Sequence, residues 1–418
     1  MPTRLSQQEL DKIAARHEAF RQGRPGGARA VLAQHDLSRL SLRGRDLAHA
    51  DFTGAILYET DLGKANLDYS LLFGADLRRA NFREATLVRA DLRGACLRGA
   101  SLNGADLTDA DLREGSFASF DPQKGLQFTG DRAAWKEGVG GVDLRGATLH
   151  AAKLSGAVAI NSNFQDANLS KAAFIRGDLS GANLQGANLE GADLSSCVLK
   201  NVNMRGANLA GIHMDFTKLV NVDMTGALTD KPAGKTLDQL PQTLEQMIAH
   251  HKEWLDSKGK LGEQLDVSGF DLRKAPSFGK ADLTMILAEY AVWYAQDLSR
   301  TNMAAGHFSH GDMRGCRFDQ ADLRGGDFAK ANLAGARLHE ARLDPLHLDG
   351  GRILNANFSG ANLRYADFTG ANLHKADFTG ADLSFANLSA ADTADAIFRD
   401  AIMEDTKRDN HENRENPS

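Results

Sequence analysis

The chain is poor in aromatic residues, cysteine and net charge. Aromatic side chains make up only 7% of 418 residues, so a conventional globular core would be thin. The formal charge of −6 is small for this length, which does not suggest direct contact with nucleic acid. No run approaches 18 apolar residues, and MPTRLSQQEL carries no apolar leader segment. The expectation is therefore no membrane span and a cytoplasmic location. The three cysteines share no metal-ligand spacing and read as structural thiols of a reducing compartment.

What the chain does have is a period of five. Over 354–388 the large residues Phe358, Leu363, Phe368, Leu373, Phe378, Leu383 and Leu388 recur every fifth place. Two places before each stands Ala, and one place before stands Asn or Asp. Five fits neither a helix at 3.6 nor a strand at 2. A repeat with one large and one small apolar residue buries both if the chain turns a corner in each repeat. Four corners then close a coil of about twenty residues, and coils stack roughly 4.8 Å apart. Asp and Asn suit the turns because their side chains bond nearby backbone.

This A(D/N)LXX pattern resembles the pentapeptide-repeat family. The resemblance implies an all-β solenoid, a right-handed quadrilateral β-helix, here with two short capping α-helices. It covers about three quarters of the chain. Family habit also implies a bacterial source. The same resemblance carries an alternative role, since some members protect DNA gyrase by imitating duplex DNA.

In chain order, residues 1–29 hold a capping helix. Ser6 and Glu9 form a capping box, Leu10, Ile13, His17 and Phe20 share one face, and Gly23 and Pro25 end it. A first array spans 30–118, with large centres from Leu32 to Phe117 that include Leu87 and Leu92. Its early small column is irregular at His35, Leu40 and Arg45. An inserted loop, 119–141, holds Trp135. The second array, 142–227, includes Leu184 and Leu189, is shifted in phase by two residues, and has a hollow centre at Ala159. The same axis is expected to resume after the loop.

Residues 228–264 read as a linker and a second capping helix. Thr243 and Gln246 make its capping box, and Leu244, Met247, His251 and Trp254 repeat the spacing of the first helix. The chain therefore reads as a duplication of helix plus solenoid. The third array, 265–403, carries one inserted residue after Leu272 and weak centres at Ala288 and Thr393. Residues 404–418 read as a disordered tail.

No catalytic motif is present: no G-x-S-x-G, H-E-x-x-H or P-loop. Nothing calls for a cofactor, and an axis filled with Leu and Phe leaves no substrate cavity, so the chain is read as non-enzymatic. One column offers weak metal-ligand candidates. His307, Asp327 and His347 are spaced by twenty and would stack on one face. His17 and His251 each read as bonding a backbone carbonyl of a first coil. The functional reading is a rigid scaffold that docks an unidentified protein partner on flat walls or projecting loops. Trp135, Tyr290 and Trp293 are the candidate contacts. The alternative, gyrase mimicry, needs a dense acidic stripe. Arg78, Arg79, Arg83, Arg89, Arg93 and Arg98 break that stripe in the first array. An uncapped last coil exposes backbone edges, so a homodimer through the C-terminal coil is expected.

Overall fold

In a computed structural model, residues 2–113, 118–121, 125–128, 141–279 and 281–409 are described. The chain divides into two compact units, Met1–Lys231 and Pro232–Ser418. Within each unit the five-residue repeats stack as a β-solenoid. Single-residue parallel bridges join positions one coil apart, as in Asp51↔Leu71, Leu71↔Asp91 and Asp91↔Asp111. Bridges also fall every five residues along the chain, at Val31, Asp36, Ser41 and Asp46, so each twenty-residue coil is pinned at four places.

The backbone accounts for the sequence period. In the repeat centred on Phe52, the Phe52 N–H donates to the Leu71 carbonyl (2.7 Å) and the Gly54 N–H to that of Phe73 (2.9 Å). The Ala55 N–H closes the corner on the Phe52 carbonyl (2.9 Å), and the Asp51 N–H reaches back to Ala30 (3.0 Å). One donor, the Thr53 N–H, is left over, and Asp51 Oδ1 accepts it at 3.0 Å. The Asp/Asn column thus satisfies the one N–H per repeat that the ladder cannot, which matters because unpaired backbone groups are costly. The residue two after each centre turns the corner with positive φ, as at Gly54 (63°), Tyr69 (57°) and Glu340 (53°).

Large centres fill the axis. Leu87, Leu92, Leu184, Leu189, Phe358, Leu363, Phe368, Leu373, Phe378 and Leu383 are all fully buried. Each contributes roughly 1.5–3 kcal/mol of burial. The Ala column is buried beside them. At two places where it becomes polar, the side chain donates inward: Thr60 Oγ1 to the Leu37 carbonyl (2.9 Å) and Cys197 Sγ to that of Phe174 (3.2 Å).

The N-terminal unit begins with β1 (Thr3–Arg4), pairing in parallel with β2 (His35–Asp36), and α1 (Gln7–Arg21). The Ser6–Glu9 capping box forms. Leu10 and His17 face the first coil, whereas Phe20 is half exposed and stacks loosely on the His17 ring (6.2 Å). The irregular small column also finds its reason here. Leu40 packs against the core, and Arg45 reaches Asp11 and Glu18 of α1. The ladder next steps from Ser101 to Asp143, from Asp106 to Thr148 and from Asp111 to Lys153. Each step is forty-two residues, one coil plus twenty-two, so the second array continues the same stack and its phase shift of two is the remainder. Within the insertion, β3 (Ala118–Asp121) and β4 (Gly125–Phe128) form an antiparallel pair. Phe117 and Trp135 lie outside the described residues. Ala159 is buried at 8% exposure. The last coils of the unit pair β5 (Val198–Lys200) with β6 (Lys218–Val220) in parallel.

The C-terminal unit repeats this plan. Lys235 bridges Phe270 as β1 bridges β2, and α2 (Leu244–Asp256) follows with its Thr243–Gln246 capping box formed. Residues 233–235 are therefore part of the solenoid and not linker, because the Ala233 N–H and the Lys235–Phe270 bridge tie them to the first coil. The extra residue after Leu272 appears as twenty-one-residue steps, Asp266↔Leu287 and Asp271↔Val292. Residues 284–294 keep the five-residue period, with Met285 and Tyr290 exposed at corners. Ala288 and Trp293 are inward centres, and the indole supplies volume that Ala288 lacks, packing 5.0 Å from the Phe278 ring.

The third array is not one unbroken stack of twenty-residue coils. After Arg342 the ladder jumps by thirty, Asp327↔Asn357 and Arg342↔Asn372. Two repeats leave the wall as the hairpin β7 (Leu346–His347) and β8 (Ile353–Leu354). The cause is Pro345, which stands two after the centre Leu343. That corner demands positive φ, and the pyrrolidine ring holds φ near −65°. The phase in fives survives because ten residues were looped out, and the axis closes again. Phe308, Phe328, Phe358, Phe378 and Phe398 stack along one wall at 4.9, 4.9, 5.1 and 5.0 Å.

Candidate docking surfaces and a wall cleft

Three of every five side chains point outward, so the walls are built from the residues flanking each centre and from the corners. Seven wall acids are clamped by an arginine in the same repeat. Asp91 and Arg93 meet at 2.7 Å, Asp111 and Arg113 at 2.6 Å, and Asp322 and Arg324 at 2.7 Å. Asp76–Arg78, Asp143–Arg145, Asp271–Arg273 and Asp312–Arg314 repeat the motif. The Arg113 guanidinium helps hold the Asp111 carboxyl below the usual range, against the opposing effect of its burial.

The polar pattern is broken on the last coils of the N-terminal unit, where Phe216, Leu219 and Val220 are exposed, and on one earlier coil. Tyr69, Leu71 and Phe73 are successive outward positions, exposed by 43%, 36% and 40%. His49 stacks on Tyr69 at 5.0 Å from the coil before. Arg89 lies 5.9 Å over the Tyr69 ring and Arg93 5.6 Å over Phe73 from the coil after. The sequence carries a signal for this patch: Leu71 stands where Asp or Asn most often precedes the centre, with Tyr69 and Phe73 on either side.

The sequence-based contacts fare differently. Tyr290 is exposed and stacks on His310 at 4.8 Å. Trp293 is fully buried in the axis and is no surface contact, because it occupies a centre position. Trp135 lies outside the described residues. The metal column is broken as well. His307 and Asp327 are consecutive rungs, but the next rung is Asn357, whose Nδ2 donates to Asp327 Oδ1 at 2.9 Å. His347 sits on β7, off the wall. Among the described residues no cluster of three or more His, Cys, Asp or Glu is placed to hold a metal ion.

The capping histidines are buried in both units. His17 Nδ1 accepts the Ala30 N–H and Nε2 faces the Ala48 carbonyl, each at 3.0 Å. The ring is therefore the neutral Nε2–H tautomer. His251 Nδ1 accepts the Leu265 N–H at 3.0 Å, but its Nε2 makes no well-formed hydrogen bond despite its attraction to the Thr284 backbone. The carbonyl contact expected of both histidines is thus well formed in one. Burial lowers the proton affinity of both rings. Trp254 stacks on His251 at 5.7 Å, and Leu244, the first residue of α2, is buried.

The C-terminal unit also carries a cleft of about 310 Å³ lined by Ser299, Arg300, Arg317, Asp319, Gln320 and His339. Ser299, Asp319 and His339 stand one coil apart, but this is no nucleophile–base relay. The carboxylate is in the middle, where the base should be, and His339 Nε2 turns to Glu340 at 3.4 Å.

The pentapeptide-repeat family model matches in 8 copies, over 36–72, 75–114, 143–181, 178–215, 312–344, 356–392 and 376–407, more than half of the chain. The chain belongs to the pentapeptide-repeat family. Pentapeptide-repeat proteins of known structure are similar to it. HetL, involved in heterocyst differentiation regulation in the cyanobacterium Nostoc, shares 22% identity over 93% of this chain and 95% of its own, with a TM-score of 0.22. Rfr23 from the cyanobacterium Cyanothece shares 30% identity over 31% of this chain and 91% of its own, with a TM-score of 0.23. QnrB1, a plasmid-mediated fluoroquinolone resistance protein, shares 17% identity over 48% of this chain and 92% of its own, with a TM-score of 0.20. At these scores the overlays add nothing to the family assignment, which rests on the repeat. No curated protein matches the chain. No described helix is long and apolar enough to cross a membrane.

Proposed function

We propose that this pentapeptide-repeat chain is a non-enzymatic scaffold that docks a protein partner on the wall bearing Tyr69, Leu71 and Phe73. The observation that carries this reading is that exposed apolar triplet on one coil, braced by Arg89 and Arg93 from the coil after. Aromatic and arginine side chains on a rigid support are the usual anchors of protein interfaces. The exposed hairpin residues Ile353 and Leu354 offer a second contact of the same kind in the other unit. The solenoid is proposed to be right-handed and four-walled, in keeping with four bridges per coil. A cytoplasmic, bacterial setting is proposed, and three free, buried thiols accord with a reducing compartment. A second copy of the chain is the proposed occupant of the last coil, where Ile397 and Ile402 stand exposed.

Gyrase mimicry is the weaker reading. Seven wall acids are neutralised by arginines within their own repeats, which leaves no continuous acidic stripe on those rungs. A photo-crosslinking residue at position 71, compared with one at Gln185 on the polar wall, tests the scaffold. Capture of one defined partner at 71 and none at 185 is expected, and identical products at both positions would refute it. Full supercoiling by purified gyrase in the presence of the chain is expected as well.

A further inference from the structure

The cleft between Ser299 and His339 holds polar groups that the fold leaves unused. Arg300 Nε donates to Gln320 Oε1 at 2.9 Å, and among the described residues its terminal nitrogens meet no acceptor. Arg317 makes only long contacts, 3.4 Å to Asp297 and 3.6 Å to Asp319. Asp319 is 16% exposed, and one of its oxygens, Oδ2, lies 3.1 Å from Arg337 Nη2. Its other oxygen, Oδ1, is buried with no hydrogen-bond partner. A buried acceptor without a donor is an unfavourable arrangement that a bound donor relieves.

These groups define a ligand by complement. Two loosely held guanidinium groups call for a carboxylate, which they grip in plane. The orphan oxygen calls for a hydroxyl or ammonium donor close to that carboxylate. Arg337 beside Asp319, Asp297 beside Arg317 and Glu340 beside Gln320 balance the remaining charges, so the cleft has no positive excess for a doubly charged phosphate, which Asp297 and Asp319 would oppose. The volume is at the lower end of small-molecule sites, enough for an acid of a few carbons. We propose that this cleft binds a small α-hydroxy or α-amino acid, its carboxylate between Arg300 and Arg317 and its donor on Asp319 Oδ1. The proposal stands apart from the docking wall, which lies in the other unit.

The test is titration of the full chain with glycolate, glycine and acetate, read by calorimetry and ligand-observed saturation-transfer NMR. Glycolate or glycine is expected to bind saturably about tenfold more tightly than acetate, which has the carboxylate but no donor. Preference for glycolate assigns a hydroxyl ligand, and preference for glycine an ammonium. Arg317→Gln is expected to weaken binding about tenfold, and Asp319→Asn to remove the advantage over acetate. Arg300→Gln, at an exposed corner, serves if either of these fails to fold. No saturable binding, equal binding of acetate, or full affinity in the arginine variants would overturn the assignment.

Discussion

His17 Nδ1 takes the Ala30 backbone N–H at 3.0 Å, so a side chain of α1 completes the hydrogen bonding of the first coil. The ring can do this only while Nδ1 is unprotonated. Burial lowers its proton affinity most, the Ala48 carbonyl and Asp46 oppose that, and Arg21 and Arg29 add to it. The unfolded chain therefore takes up the proton first as pH falls through the ordinary histidine value of about 6.5. Stability from this group is full above that pH and is lost as pH falls below it. Thermal melting between pH 7.5 and 5 is expected to show the loss. His17→Ala should cost about 1–3 kcal/mol at pH 7.5 by orphaning the Ala30 N–H, and should flatten the pH dependence.

The Asp/Asn column makes a sharper claim about ordinary repeats. Asp377 Oδ1 accepts the Thr379 N–H at 2.9 Å and its hydroxyl at 2.6 Å. Asp377→Asn keeps an acceptor there and should change urea stability little. Asp377→Ala should cost about 1–2 kcal/mol. Equal stability of the two variants would refute the role given to the column.

Phe358 sits mid-way in the ring stack, fully buried between Phe328 and Phe378. Truncation to Ala should cost about 3–5 kcal/mol in urea unfolding of this unit. Phe358→Leu retains most of the buried volume and should cost about 1 kcal/mol.

The hairpin gives the most direct test of the coil geometry. Deleting 344–353 joins Leu343 to Leu354 and puts Asn355 at the corner that Pro345 occupied. Asparagine tolerates positive φ, and the thirty-residue step becomes a regular twenty. The shortened chain is expected to fold with unchanged circular dichroism per residue and a melting temperature within a few degrees of the parent. Excising 346–355 instead retains Pro345 at the corner and should destabilise the unit.

At the C-terminal end, Arg408 lies 4.6 Å over the Phe398 ring while Ile397 and Ile402 remain exposed. If a second copy covers this coil, light scattering should give twice the chain mass of 45.1 kDa, and deletion of 390–418 should reduce the oligomer to monomer. A monomer in both forms would refute the dimer.

The repeat was plain in the sequence because burial and turn chemistry are strictly local. Phe358 must face inward and Asn357 must serve the backbone two residues on, whatever surrounds them. The capping boxes at Ser6 and Thr243 were legible for the same reason. Trp293 was misplaced as a surface contact because its aromatic character outweighed its position in the period.

The period in fives determined which residues line the axis, and nothing else was needed for that. It could not determine which residues become neighbours across coils, because a loop of any multiple of five leaves the phase intact. Pro345 sends ten residues off the wall, so Asp327 meets Asn357 and His347 stands apart. The tertiary stack alone also brought Arg300, Arg317 and Asp319 to one cleft, since side chains twenty residues apart become partners only when the coils close.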